Sequence, residues 1–310
     1  AFLRATTADE KGNITAEKEG LSLEWLPIAQ AAKACGGITI VQVERLVKAG
    51  SLHPKHVKVP GIYVDYIVVA EKPQMQSMVT LYNPAFSGEV KIPVDNIPPM
   101  PLNEDKIICR RAAMEVHPGA INLGIGIPQG VASVIAEEKA DDLVTLVSES
   151  GSIGGIPGVR GDFGHHYNAE SSTDQHAHFN FYDGGGLDIA IFGLGETDKE
   201  GNVNASLLNG KVFGVGGFLN VVTFAKKSVL VGTFTAGGLK IKTGDGKLAV
   251  FELTHDGMVL TEIAPGIDLE KDVLAHMEFK PIISPDLKIM DEGIFREVWG
   301  EGKLRSIIEG

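Results

Sequence analysis

One carboxylate stands out by its neighbours. Glu149 in LVSESGSIGGIP (146–157) follows an apolar run and is itself followed by Gly151, Gly154 and Gly155. Upstream, NLGIGIP (122–128) places Gly124 and Gly126 after another apolar run, with Pro128 opening a helical period. A glycine bend beside a helix N-terminus exposes backbone N–H groups that a ligand can approach closely. A carboxylate brought to the same rim would be a nucleophile beside donors for a developing oxyanion, the layout of covalent acyl transfer. On spacing alone, Glu149 equally fits a carboxylate that ends a strand or caps a helix. GIGIPQG (124–130) is a poor dinucleotide fingerprint, because Pro128 fills a variable position and the acid ending the next strand is Glu149 itself.

The elements that must position these residues read as one βαβ unit: strand 121–125, bend 124–128, helix 128–139 and strand 142–148. Pro128 suits the first helical position, whose N–H has no helical partner. A right-handed crossover between parallel strands brings the bend and Glu149 out at the strands' carboxyl ends, where open α/β sheets bind ligands. Further strands are expected at 37–43, 62–70, 187–193 and 228–234. A helix is expected at 103–116, capped by Asn103 with Glu104 and Asp105 in its first turn. Apolar strands alternating with helices predict the α/β class, a mostly parallel sheet flanked by helices. The proline-rich IPVDNIPPMP (92–101) marks a boundary between units 1–100 and 101–310. ADEKGNIT (8–15) parallels TDKEGNVN (197–204), and a buried strand follows each, which predicts two related halves. Seven residues precede the first copy, so the first half is expected to lack its start.

At 310 residues, 44% hydrophobic and 22% charged, the chain can bury the cores of two ordinary domains. A net charge of -12 argues against nucleic acid or an anionic membrane as partner. There is no apolar run of membrane-spanning length and no cleavable signal pattern at the start. Cys35 and Cys109 match neither a disulfide framework nor a zinc spacing, which suits a reducing compartment, the cytoplasm or a mitochondrial matrix. The four histidines of HHYNAESSTDQHAH (165–178) lack the helical spacing of a zinc motif. They read as a polar loop near a pocket mouth. Asp183–Gly186 reads as a turn into a strand, Glu137–Glu138 as a solvated helix end, Met75 and Met78 as packing residues, and Cys109 as a small core residue.

LVSESGSIGG is similar to the active-site segment of family I coenzyme A transferases, in the branch of propionate and acetate or acetoacetyl CoA-transferases. The similarity extends through NLGIGIP, SESGSIGGIP, NFYDGGGLDIAIFGLGETDKEGNVN (180–204), GVGGF (214–218), VGTFTAGGLK (231–240) and EIAPGIDL (262–269). TTADEKGNIT (6–15) and the stretch from VQVERLVKAG to IYVDYIVVA (41–70) carry it through the first half. The resemblance implies the CoA-transferase, sugar-phosphate-isomerase-like fold, with Glu149 forming a glutamyl-CoA thioester in a ping-pong reaction. It implies Gly124, Ile125, Gly126, Gly216 and Gly217 as oxyanion or CoA-binding positions. It also implies coenzyme A as substrate with no tightly bound cofactor or metal, acyl-CoA and short-chain acids as partners, and a homo-oligomer. An acyl-CoA hydrolase and a non-catalytic CoA- or metabolite-binding module are the alternatives. The sequence departs from the family at Ser150, where Asn or Pro is common, and near Val250–Phe251, where relatives carry a longer stretch.

Overall fold

The computed structural model describes residues 1–70, 76–234, 249–300 and 302–310. Two sheets carry the architecture. In the first, β1 (Phe2–Asp9) lies between β2 (Ile14–Thr15) and β3 (Ile40–Val47), and β3 is followed by β4 (Tyr66–Val69), giving the order β2–β1–β3–β4. β1, β3 and β4 are parallel, and β2 folds back antiparallel on β1. Trp25 and Ala29 of helix α1 (Trp25–Ala34) seal one face over Leu3, Ala5, Val41 and Val43. The strand expected at 62–70 is shortened because Pro60 leads into a 3₁₀ turn at Gly61–Tyr63.

The second sheet has the order β10–β7–β6–β5–β11–β16. Its centre is β5 (Ala120–Leu123) between β6 (Thr145–Val147) and β11 (Ile189–Gly193), all parallel, with β16 (Lys227–Val231) beyond β11. β7 (Ser152–Ile153) and β10 (Ser171–Ser172) complete the other edge antiparallel. Isoleucines 121, 189 and 191 are fully buried, as expected of strands covered on both faces. Helices α2 (Glu104–Ala113) and α3 (Gly130–Glu137) pack on one side. Asn103 caps α2, its Oδ1 accepting from the Lys106 amide at 3.0 Å. A 3₁₀ turn at Ile127–Gln129 replaces the expected first turn of the second helix. On the other side, helices α4 (Gln175–Asp183) and α5 (Phe218–Phe224) bring Tyr182 and Val221 into one cluster with Ala190 and Phe192 of the sheet.

Short hairpins join these elements: β8 (Ile156–Pro157) with β9 (His166–Tyr167), β12 (Glu196–Thr197) with β13 (Val203–Asn204), and β14 (Leu207–Leu208) with β15 (Lys211–Val212). A three-stranded sheet of β17 (Ala249–Thr254), β18 (Gly257–Ile263) and β19 (Ile282–Ile289) precedes the terminal helix α6 (Lys303–Glu309). Val250–Phe251 lies within β17 at a register shift against β18. GGLKIKTGDGKL (237–248), the end of VGTFTAGGLK and Met75 lie outside the described residues. Arg110, 1% exposed, ties the C-terminal region to α2. It donates to the carbonyls of Ile294 and Glu297, each at 3.0 Å, and to that of Arg296.

The internal repeat is visible atom by atom. Asp9 Oδ1 accepts from the amides of Lys11 and Asn13, and Oδ2 from Asn13 Nδ2. Asp198 makes the same three bonds with Glu200 and Asn202. Each turn links a strand to a helix and a second parallel strand: β1 to α1 and β3, and β11 to α5 and β16.

Three expectations are corrected. Residues 175–183 form α4 rather than loop. Met78 is 86% exposed and packs little. Glu137 is not a solvated helix end: it pairs with buried Lys106 Nζ at 2.5 Å and accepts from the Met100 amide at 2.7 Å.

Candidate active site

Glu149 sits in the tight turn between β6 and β7. Ser148 N donates to Ser152 O at 3.0 Å, and Gly151 N to Ser148 O at 3.0 Å. Alternate residues point to opposite sides of an extended chain. The hydroxyls of Ser148, Ser150 and Ser152 converge on one carbonyl, that of Gly164, at 3.1, 2.7 and 3.1 Å. Glu149 is thereby set on the other side. Ser150, the departure from the family pattern, makes the shortest of these bonds.

The structure gives two of the glycines that follow a steric reason. Gly151 and Gly155 have φ of +104° and +67°, and a Cβ at either would overlap the carbonyl oxygen of Thr173 or Tyr167. They let the segment around 164–173 close against the turn.

The carboxylate opens into a cleft of about 530 Å³ at the seam between the two halves. α4 contributes Gln175, His176 and Phe179, the α5 region contributes Gly216, Gly217 and Asn220, and the first half contributes Glu24. Asp174 holds the seam together, accepting from Ser22 Oγ at 2.9 Å and pairing with Lys58 Nζ at 3.4 Å, while Gln175 N donates to Leu23 O at 3.1 Å. Asn220 is steadied through its Nδ2, which donates to Asp183 Oδ1 at 2.8 Å. Glu149 lies directly against Gly217: a Cβ there would overlap Glu149 Oε2 and stand 2.8 Å from Phe179 Cζ. Gly217 has an ordinary φ of -75°, so it is space, not conformation, that requires glycine.

Burial pushes the Glu149 carboxyl above the usual carboxylate range, and no hydrogen bond or cation among the described residues offsets this. A desolvated carboxylate without a partner is a stronger nucleophile once ionised than one held in an ion pair.

The 124–128 bend shares the rim. β5 and β6 are in register at Asn122 and Val147, which sets positions 124 and 149 level. Two of the expected donors are otherwise engaged. The Gly124 amide donates to Ile191 O at 2.8 Å within the sheet, and the Gly126 amide to Gln129 Oε1 at 3.1 Å. Gly124 is instead small so that the Phe192 ring can pack on it. Ile125, 68% exposed, carries the remaining amide of the three expected donors in the bend. Gly216 and Gly217 line the cleft itself, whereas Gly124, Ile125 and Gly126 do not.

The histidines separate. His176 lines the cleft, while His165, His166 and His178 are buried behind the turn. His166 Nδ1 lies 2.7 Å from Gly154 O, and burial depresses its pKa to about 4. The His178 ring meets Tyr182 edge-on at 4.6 Å, and the Tyr182 hydroxyl accepts from Asn122 Nδ2 at 2.6 Å. Among the described residues no group of three or more His, Cys, Asp or Glu is placed to hold a metal ion. None of Glu24, Gln175, Phe179 and Asn220 was anticipated from sequence. The spacing of Gln175, Phe179 and Tyr182, one face of a helix, could have revealed two of these four; Glu24 carried no local signal.

A family model described as coenzyme A transferase matches residues 1–70. The chain is 42% identical to the caffeate CoA-transferase of Acetobacterium woodii, over 96% of this chain and 66% of the relative. It is 39% identical to the acetate CoA-transferase YdiF of Escherichia coli, over 95% of this chain and 63% of that protein. It is also 32% identical to the acetate CoA-transferase subunit beta of Haemophilus influenzae, over 61% of this chain and 96% of the subunit. Thus the chain spans somewhat less than two thirds of the length of the first two. The crystal structure of the acyl-CoA transferase YdiF apoenzyme from Escherichia coli O157:H7 superposes with a TM-score of 0.86 at 38% identity, covering 96% of this chain and 63% of that one. A thioester complex of the same enzyme with CoA gives 0.85.

Proposed function

Since the chain belongs to the coenzyme A transferase family, we propose that it transfers coenzyme A between an acyl-CoA and a free carboxylic acid, with Glu149 as covalent nucleophile. The observation that supports this most directly is a desolvated, unpartnered carboxylate pressed against Gly217 in a cleft between the halves.

In the first step a Glu149 oxygen attacks the acyl-CoA thioester carbonyl. The carbon–sulfur bond breaks, leaving a mixed anhydride and CoA thiolate. The thiolate then attacks Glu149 Cδ, expelling the original acid as its carboxylate and leaving a glutamyl-CoA thioester. An incoming acid reverses both steps and departs as the new acyl-CoA, so no oxidant or nucleoside triphosphate is consumed. Each attack raises a negative oxygen, for which the amides of Ile125, Gly216 and Gly217 are the donors we assign. Losing one such donor typically costs about 3–4 kcal/mol.

We take the substrates to be short-chain acids and the chain to comprise units 1–100 and 101–310, the cleft lying where they meet. We further take the enzyme to be a cytoplasmic homo-oligomer. Two free cysteines, one of them exposed, fit a reducing compartment, and no helix among the described residues is long and apolar enough to cross a membrane.

Mass spectrometry of the full-length protein mixed with propionyl-CoA tests the assignment. A CoA-sized, hydroxylamine-labile adduct is expected on the peptide carrying Glu149 and should be absent in Glu149→Ala. An adduct persisting in that variant refutes it.

A further inference from the structure

Glu24 is a carboxylate without a structural task. It occupies the N-cap position of α1, yet its side chain accepts no hydrogen bond from the helix. Its Oε2 is buried with no hydrogen-bond partner among the described residues. The residue before it, Leu23, adopts a positive φ of 47°, uncommon for a branched side chain. Leu23 is held there by the amide of Gln175, whose side chain lines the same cleft. The first half thus presents an acid group to the cavity that contains Glu149. Among the described residues no lysine or arginine joins the lining, and the side-chain amide of Asn220 is committed to Asp183.

Resting on the reading of Glu149 as nucleophile, the electrostatics of the cleft change during turnover. When the acceptor acid arrives, Glu149 is a glutamyl-CoA thioester and carries no charge. Among the described lining residues Glu24 is then the remaining carboxylate that faces the acceptor. The reacting carboxylate must approach Glu149 whichever acid is bound, so its interaction with Glu24 is common to all acceptors. A second carboxylate at the far end is not. At a charge separation of about 10 Å and an effective dielectric of about 20, one added like charge weakens binding by roughly tenfold. An uncharged far end avoids this. We propose that Glu24 is a specificity-determining residue that admits acceptor acids with one carboxylate and an uncharged far end, and disfavours dicarboxylates.

The test compares succinate with its monomethyl ester as acceptors from propionyl-CoA, using the full-length enzyme. The two share a carbon chain and differ by one charge. The wild type should use the ester with a kcat/KM about tenfold or more above that for succinate, mainly through KM. In Glu24→Gln the gap should largely close. A wild type that uses both equally, or neither while the CoA adduct still forms on Glu149, overturns the assignment without recourse to a variant. So does a gap that persists undiminished in Glu24→Gln. The mass of the CoA adduct on Glu149, followed in the same samples, reports separately on the reaction: if it never forms, the transferase reading falls and the role of Glu24 falls with it.

Discussion

Gly217→Ala asks whether Glu149 works from where it stands. The added methyl meets Glu149 Oε2 and Phe179 Cζ, the latter at 2.8 Å, well inside van der Waals contact. Alanine is compatible with the backbone, since φ is -75°. Forcing a methyl into rigid surroundings costs about 1–3 kcal/mol. Here the nearest obstacle is the tip of a flexible side chain, so the fold can relieve the overlap by swinging the carboxylate aside. Stability should fall toward the low end of that range, each kcal/mol lowering Tm by about 2–4 °C in domains of ordinary size. The carboxylate, however, is displaced by about 1 Å, which costs on the order of 100-fold in rate. The assay is steady-state transfer from propionyl-CoA to acetate, beside a thermal melt of the same preparation. The expected signature is a kcat down about 100-fold on a nearly normal melt. A variant that turns over like the wild type would show that the carboxylate does not act from its place against Gly217.

Further outcomes follow from other parts of the site and core. Glu149→Gln should abolish transfer yet raise Tm at neutral pH. The folded state holds the Glu149 proton more tightly than the unfolded chain, so stability is lost as pH rises from the ordinary glutamate range through the elevated value; each tenfold change in acidity is worth about 1.4 kcal/mol. The Tm gain should vanish below that window, and a variant less stable than wild type at neutral pH would contradict the burial argument. By the same sign, wild-type activity should decline on acidification at a pH above that of an ordinary glutamate, as a pH–rate profile of kcat will show. Ser150→Ala removes the shortest hydroxyl bond to Gly164 O and should cost about 1 kcal/mol by urea unfolding, with a loss of kcat that exceeds any change in KM. Arg110→Met leaves three carbonyls unpaired and should cost about 2–4 kcal/mol; an unchanged denaturation midpoint would refute the clamp.

Much of the scaffold was legible because its signals are local. The parallel strands announced themselves as apolar runs, Asn103 marked the start of α2, and the βαβ spacing placed residues 124 and 149 on one rim. What escaped notice depends on distant partners. The β6–β7 turn is closed by serines that reach Gly164, and the glycines after Glu149 answer to Thr173 and Tyr167. Neither relation has a period in the sequence. The histidine-rich stretch hid a helix because its polar residues masked the face carrying Phe179 and Tyr182. The engagement of the Gly124 and Gly126 amides was not legible, because an N–H that looks free in a glycine bend can be claimed by a neighbouring strand or side chain. Only Ile191 O and Gln129 Oε1 reveal that.

The paired aspartate turns have a consequence of their own. Asp9 is sealed at 1% exposure, whereas its counterpart Asp198 faces solvent, although both grip their loops through the same three bonds. The molecule therefore contains one motif in a dry and a wet version. The first loop is further tied by Gly61 N to Asn13 Oδ1 and by Ala49 N to Glu10, so it should exchange its amide hydrogens more slowly than the solvent-facing copy.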